Sequence, residues 1–134
     1  MAKTLAWAFG IVLTAVGILG FVPGVTSTDG LLLGIFQVDA VHSIIHIVTG
    51  LIGIYVAMSG SYVSLYFKVF GVVYALVTVV GFLQGSTVMG LILVNMADNV
   101  LHLVVALVAL WAGFWMKEES TGTASPVGGM SSSM

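Results

Sequence analysis

Residues 9–24, FGIVLTAVGILGFVPG, carry no charged side chain, and a close copy, FGVVYALVTVVGFLQG, stands at 70–85. Seven of the sixteen positions are identical, with Phe-Gly opening both stretches and Gly-Phe near both ends. The apolar residues run continuously and do not alternate, which suits a helix in lipid and not a barrel strand. Working outward, the chain is 60% hydrophobic and 6% charged, and its mean hydropathy is +1.21. A soluble domain uses about a quarter of its residues as charges, so the solvent for most of this chain is a lipid bilayer.

A crossing needs about 20 apolar residues. Four stretches qualify, at about 4–22, 40–58, 64–83 and 97–116. Pro23-Gly24, Ser59-Gly60-Ser61, Gln84-Gly85-Ser86 and Lys117-Glu118-Glu119 end them in turn. The first run is long and lacks a clean small-x-small cleavage site, so it reads as a retained helix and not a signal peptide. The expected fold is all-α: a polytopic membrane protein with four transmembrane helices in one domain, 1–116. Residues 117–134, polar and rich in small side chains, read as a flexible cytoplasmic tail.

The copy at 70–85 extends further. Residues 34–51 align with 90–107, matching Gly34 with Gly90, Val38 with Val94 and His46 with His102. The chain therefore reads as a tandem repeat of two helical hairpins, about 4–58 and 64–116, with the longer first loop absorbing a five-residue difference in offset (61 against 56). Each hairpin has an even number of crossings, so the copies insert in the same sense about a pseudo-twofold axis along the membrane normal.

Lys3, Lys68 and Lys117 fall at the same side of such a bundle. The positive-inside rule then puts the N- and C-termini in the cytoplasm, in a multi-pass protein of the cell (inner) membrane. Trp7, Trp111, Trp115, Tyr62 and Tyr66 are expected as an aromatic belt on that side. The loop segments DGLLLGIF (29–36) and STVMGLIL (86–93) are apolar for loops and are expected as short interfacial helices. A net charge of −2 without a basic cluster excludes nucleic acid as a partner. With no cysteine there is no disulfide and no thiolate metal site.

Against this oily background, VDAVHSIIHIVTG (38–50) holds two of the three histidines. Residues three or four apart share a helix face, so Asp39, His42, His46, Thr49, Gly50 and Gly53 form one stripe. Asn95, Asp98 or Asn99, His102 and Ala106 form a second on helix four. Polar groups face the bundle interior, so the stripes are expected to meet near the outer ends of helices two and four. Gly50, Gly53 and Ala106 would let those helices approach closely.

Three chemistries suit such a cluster. His42, His46, Asp98 and His102 are the candidate ligands for a zinc-like metal ion, since i, i+4 pairs suit a tetrahedral site. Asp39, Thr49, Asn95 and Asn99 would then hold the imidazoles in place. His46 and His102, related by the pseudo-twofold, could instead ligate a haem or chlorin. Alternatively, the cluster is only an interhelical hydrogen-bond network, with Asp39 and Asn95 or Asp98 as helix caps. The protein is then an accessory subunit of a larger membrane complex. A proton or ion pathway is the third reading. No set of residues points to catalysis, so a non-enzymatic binding protein is expected, in the bilayer, alone, with other membrane subunits or as a homo-oligomer.

GFVPG after helix one, VHSIIHIVTGLIGI, FGVVYALVTVVGFL and VNMADNVLHLVVAL resemble a bacterial family of small four-helix membrane proteins, the 4383 family of unknown function. The resemblance covers about 5–115 and is most specific at Asp98–His102 and His42–Gly50. This chain has Val38-Asp39-Ala40 where an Asn-Pro-type opening of helix two is expected. The resemblance implies the four-helix fold and points to the same polar residues; it implies no activity.

Overall fold

The computed structural model describes residues 1–116; the tail expected at 117–134 lies outside them. Four helices, α1 (Ala2–Leu19), α2 (Ala40–Ser59), α3 (Val63–Gln84) and α4 (Met96–Phe114), are each long and apolar enough to cross a bilayer. Exposed apolar residues lie along all of them, for example Ile11, Val48, Val72 and Val104. A soluble bundle would instead present a polar outer face.

Helix boundaries follow local chemistry. Asp39 caps α2, its carboxylate accepting from the His42 N–H at 2.7 Å, and Gly60 ends the helix in the left-handed conformation at φ 70°. Asn95 and Asp98 form a capping box at the start of α4. Helix α1 ends at Leu19, three residues before the predicted stop. Pro23 disfavours helix at the residue before it, and the Leu19 carbonyl accepts from the Val22 N–H at 3.1 Å and from the Thr26 hydroxyl at 2.9 Å.

The loop segments expected as interfacial helices are two antiparallel β-hairpins. Strand β1 (Leu31–Leu32) pairs with β2 (Phe36–Gln37), with Leu32 opposite Phe36. Strand β3 (Thr87–Val88) pairs with β4 (Ile92–Leu93), with Val88 opposite Ile92. The three-residue turns between them need two successive left-handed residues, and both supply a bulky residue then glycine: Leu33 (φ 55°) and Gly34 (73°), Met89 (53°) and Gly90 (70°). A right-handed helix cannot include that pair of conformations.

Helices pair tightly within each half, α1 on α2 and α3 on α4. A Cβ on Gly10 would lie 2.6 Å from the Ile54 nitrogen, and one on Gly113 would lie 2.7 Å from the Lys68 nitrogen. Only glycine permits backbones that close. Gly50 serves the α1–α2 contact and Gly53 faces α1 and α3, and neither serves the expected α2–α4 contact. Gly50 sits against Thr14 and the Gly10 carbonyl, and Gly53 against the Gly10 Cα and the Tyr66 hydroxyl. Ala106 is buried on α4.

The bundle has two ends of different character. Near the chain start, Ala6, Val56, Ala57, Phe67, Ala109 and Ala112 form an apolar core contributed by all four helices, with Phe9 edge-on to Phe67 at 5.2 Å. Trp7, Trp111, Trp115 and Tyr62 are exposed around this end. Tyr66 is not: it is buried, and its hydroxyl donates to the Thr49 carbonyl at 3.0 Å, tying α3 to α2. The other end carries the β-hairpins and the polar residues.

Candidate functional site

The two halves meet at the β-hairpin end through a reciprocal set of hydrogen bonds. The Asp39 carboxylate accepts from the Leu93 N–H of β4 at 2.9 Å as well as from His42. The Asp98 carboxylate accepts from the Gln37 N–H of β2 at 3.0 Å and from the Asn95 N–H at 2.9 Å. The Asn95 amide donates to the Ile35 carbonyl at 2.8 Å, and its oxygen accepts from the Asp98 N–H at 3.0 Å. Each helix N-terminus thus holds the strand of the other half.

Just inside this clamp lie the three histidines. His42 and His46 stand one turn apart on α2, and His102 faces them from α4. Ring centroids are 4.6 Å apart for His42–His46, 5.5 Å for His42–His102 and 6.1 Å for His46–His102. One ring nitrogen from each lies within 4.8 Å of those of the other two. All three are buried, at 1%, 7% and 3% exposure. Tyr74 of α3 packs against His102 at 5.7 Å and closes one side.

Hydrogen bonding is uneven across this trio. His42 Nδ1 lies 2.9 Å from the Leu93 carbonyl, an acceptor only, so Nδ1 carries the hydrogen. A neutral His42 ring then has its lone pair on Nε2, which has no partner among the described residues. His46 Nδ1 and His102 Nδ1 also lack partners there. A buried polar atom without a partner is rare and costs about 1–3 kcal/mol. The Leu93 peptide links Asp39 to His42: its N–H goes to the carboxylate and its carbonyl to the imidazole. That is how ligating histidines are commonly oriented.

The remaining candidates take other places. The Asp98 carboxylate is turned back into the capping box, and the group of close potential ligands contains the histidines without it. The Thr49 hydroxyl donates to the Ile45 carbonyl of its own helix at 2.8 Å. Asn99 is buried against Gly81 with neither amide atom partnered among the described residues. Two participants escaped the stripe analysis. The Leu93 peptide is a backbone group that no residue-type pattern marks. Tyr74 lies on α3, and residue type does not place it: Tyr74 is buried, whereas Tyr55 of α2 is exposed.

Three imidazoles with an open side match the donor set of a transition-metal site. A tetrahedral zinc with bonds of about 2.0–2.1 Å sets its nitrogens about 3.3–3.4 Å apart, within side-chain adjustment of the present spacing. A macrocycle between His46 and His102 meets His42, which lies close to both rings. The adjoining cavity is about 130 Å³, whereas pockets for larger ligands run to roughly 300–1,000 Å³.

No curated protein and no solved structure matches the chain. The profile of the DUF4383 family, a domain of unknown function, matches residues 3–115, and the chain belongs to that family.

Proposed function

Starting from a family to which no activity is attached, we propose that this small multi-pass membrane protein binds a transition-metal ion, zinc-like in its preferences, through His42, His46 and His102. The observation that carries this reading is three buried imidazoles that bring a ring nitrogen each within 4.8 Å of one another, and that each keep a ring nitrogen without a partner among the described residues. An interhelical network would join those nitrogens to hydrogen-bond partners; a metal site needs them free. Asp39 and Asp98 supply the negative charge that a divalent ion on three neutral imidazoles requires nearby. Their carboxylates are already held by backbone N–H groups, which also argues against a proton relay through them. The role is binding and not catalysis.

This reading includes a duplicated hairpin. In support, each half runs helix, two short strands, helix, and Asp39 and Asn95 cap with the same extended backbone (φ −139° and −132°). The lysine placement supports cytoplasmic termini, with the metal site toward the outer leaflet of the cell membrane.

Elemental analysis of the purified protein after zinc incubation tests the proposal. The wild type should retain zinc, and His46→Ala and His102→Ala should lose it. A wild type that stays folded and metal-free would sink the reading and favour the accessory-subunit alternative, in which lipid-facing surfaces dock a larger complex.

A further inference from the structure

The cavity beside the histidines opens sideways. His42, His46, His102 and Thr49 form its inner wall, with Phe70 and Val77 of α3 facing them. Its rim is made by Ile45 of α2 and Val73 of α3, both 42% exposed on the lipid-facing surface. Val73 is the middle of the 22-residue α3, roughly 16 Å from either end of that helix, and Ile45 is about 8 Å into α2, so the rim runs from mid-span toward the hairpin end. The route from the water side is covered. Strand β4 and its flanks lie over the site, with Ile92 and Val94 buried and the Leu93 peptide hydrogen-bonded to both His42 and Asp39.

We infer that the metal's open coordination position is reached from within the bilayer, between α2 and α3, and takes a small neutral lipid-soluble donor molecule of a few atoms. This rests on the metal reading above. Size sets one limit: about 130 Å³, at about 30 Å³ per water-sized molecule, leaves room for an ion and a ligand of a few atoms. Charge sets the other. Neither lysine among the described residues lines the cavity, and an anion crossing hydrocarbon loses its hydration without compensation.

The test uses the protein in lipid nanodiscs loaded with copper(I), which imidazole also binds. Carbon monoxide is the neutral probe and thiocyanate the charged one, both read by infrared. The wild type should show a bound carbon monoxide band and no bound thiocyanate. Val73→Trp and Ile45→Trp, which plug the rim from opposite helices, should keep their copper and lose the carbon monoxide band. His46→Ala should lose both. Copper-loaded plugged variants with an undiminished band, or thiocyanate bound as readily as carbon monoxide, would overturn lateral access and leave the metal site standing. If the tryptophan variants do not fold, the two-probe comparison on the wild type decides. A wild type that takes up no copper overturns the metal reading and this inference together.

Discussion

Replacing His46 by leucine should move stability in opposite directions with and without metal. In the metal-free protein, His46 buries an Nδ1 with no partner among the described residues, a condition costing about 1–3 kcal/mol. Leucine has a similar volume, carries no polar atom and faces the same apolar cavity wall. The variant should therefore be as stable as the wild type or more stable, by up to roughly that amount, when metal is chelated. With zinc the order reverses. At free zinc 100-fold above Kd, binding stabilises the wild type by about 2.7 kcal/mol; the variant, with two imidazoles left, gains little. His102→Leu should behave alike, since its Nδ1 is in the same condition. The assay is unfolding in detergent micelles, run with chelator and with zinc on both proteins. Suppose instead that the variant is clearly less stable in chelator and zinc shifts neither protein. The histidines would then be acting as glue between helices, and the reasoning from unpartnered nitrogens would be wrong.

Gly50→Val should destabilise the first hairpin by about 1–3 kcal/mol or more. Its Cβ would lie 2.5 Å from the Thr14 nitrogen and 2.8 Å from the Gly10 carbonyl oxygen, backbone atoms that move only if the helices part. A melting temperature equal to wild type would contradict that contact. Asp39→Ala removes the cap of α2 and the hold on the Leu93 peptide. It should lower stability by about 0.5–2 kcal/mol and weaken zinc binding by about 10–100-fold, read by unfolding and by competition with a chelating dye. Tyr66→Phe should cost only about 0.6 kcal/mol, the usual worth of one interhelical hydrogen bond in a membrane protein, and leave zinc binding unchanged.

The four spans were legible because lipid imposes a length and a composition that few other environments do. The meeting of His42, His46 and His102 followed from helical spacing and the need to hide polar groups from lipid. Other features were not legible, for definite reasons. The apolar runs at 29–36 and 86–93 looked helical because their turns depend on a left-handed Leu33 or Met89, a conformation that neither residue type signals. Gly50 and Gly53 were expected to face α4, but helical period names a face and not the neighbour that covers it; here α1 covers Gly50, and α1 with Tyr66 of α3 covers Gly53. Asp98 shares a stripe with His102, yet at the third position of α4 its side chain turns back to the Asn95 N–H. The Asn95-x-x-Asp98 spacing carried both readings, and only coordinates separate them. Tyr66 looked like a belt residue because aromatic type and proximity to a helix end do not reveal which way the ring turns.

The metal reading depends on a broken symmetry. Under the duplication proposed above, His46 corresponds to His102 and His42 to Asp98, at an offset of 56. Both members of the second pair grip the strand of the opposite half. His42 holds the Leu93 carbonyl and Asp98 the Gln37 N–H, and Leu93 and Gln37 are themselves equivalent at the same offset. The position thus has one mechanical task in both copies, which either an imidazole N–H or a carboxylate performs. Only the imidazole has a second nitrogen left to point inward. Two identical hairpins with aspartate at that position would offer two imidazoles, too few for a closed metal site. Two with histidine would offer four and lose the capping box that fixes α4. One of each keeps the clamp and the cap and leaves three donors with an open side. The seam between the halves is therefore the only place where this set can assemble among the described residues, and neither hairpin carries it alone.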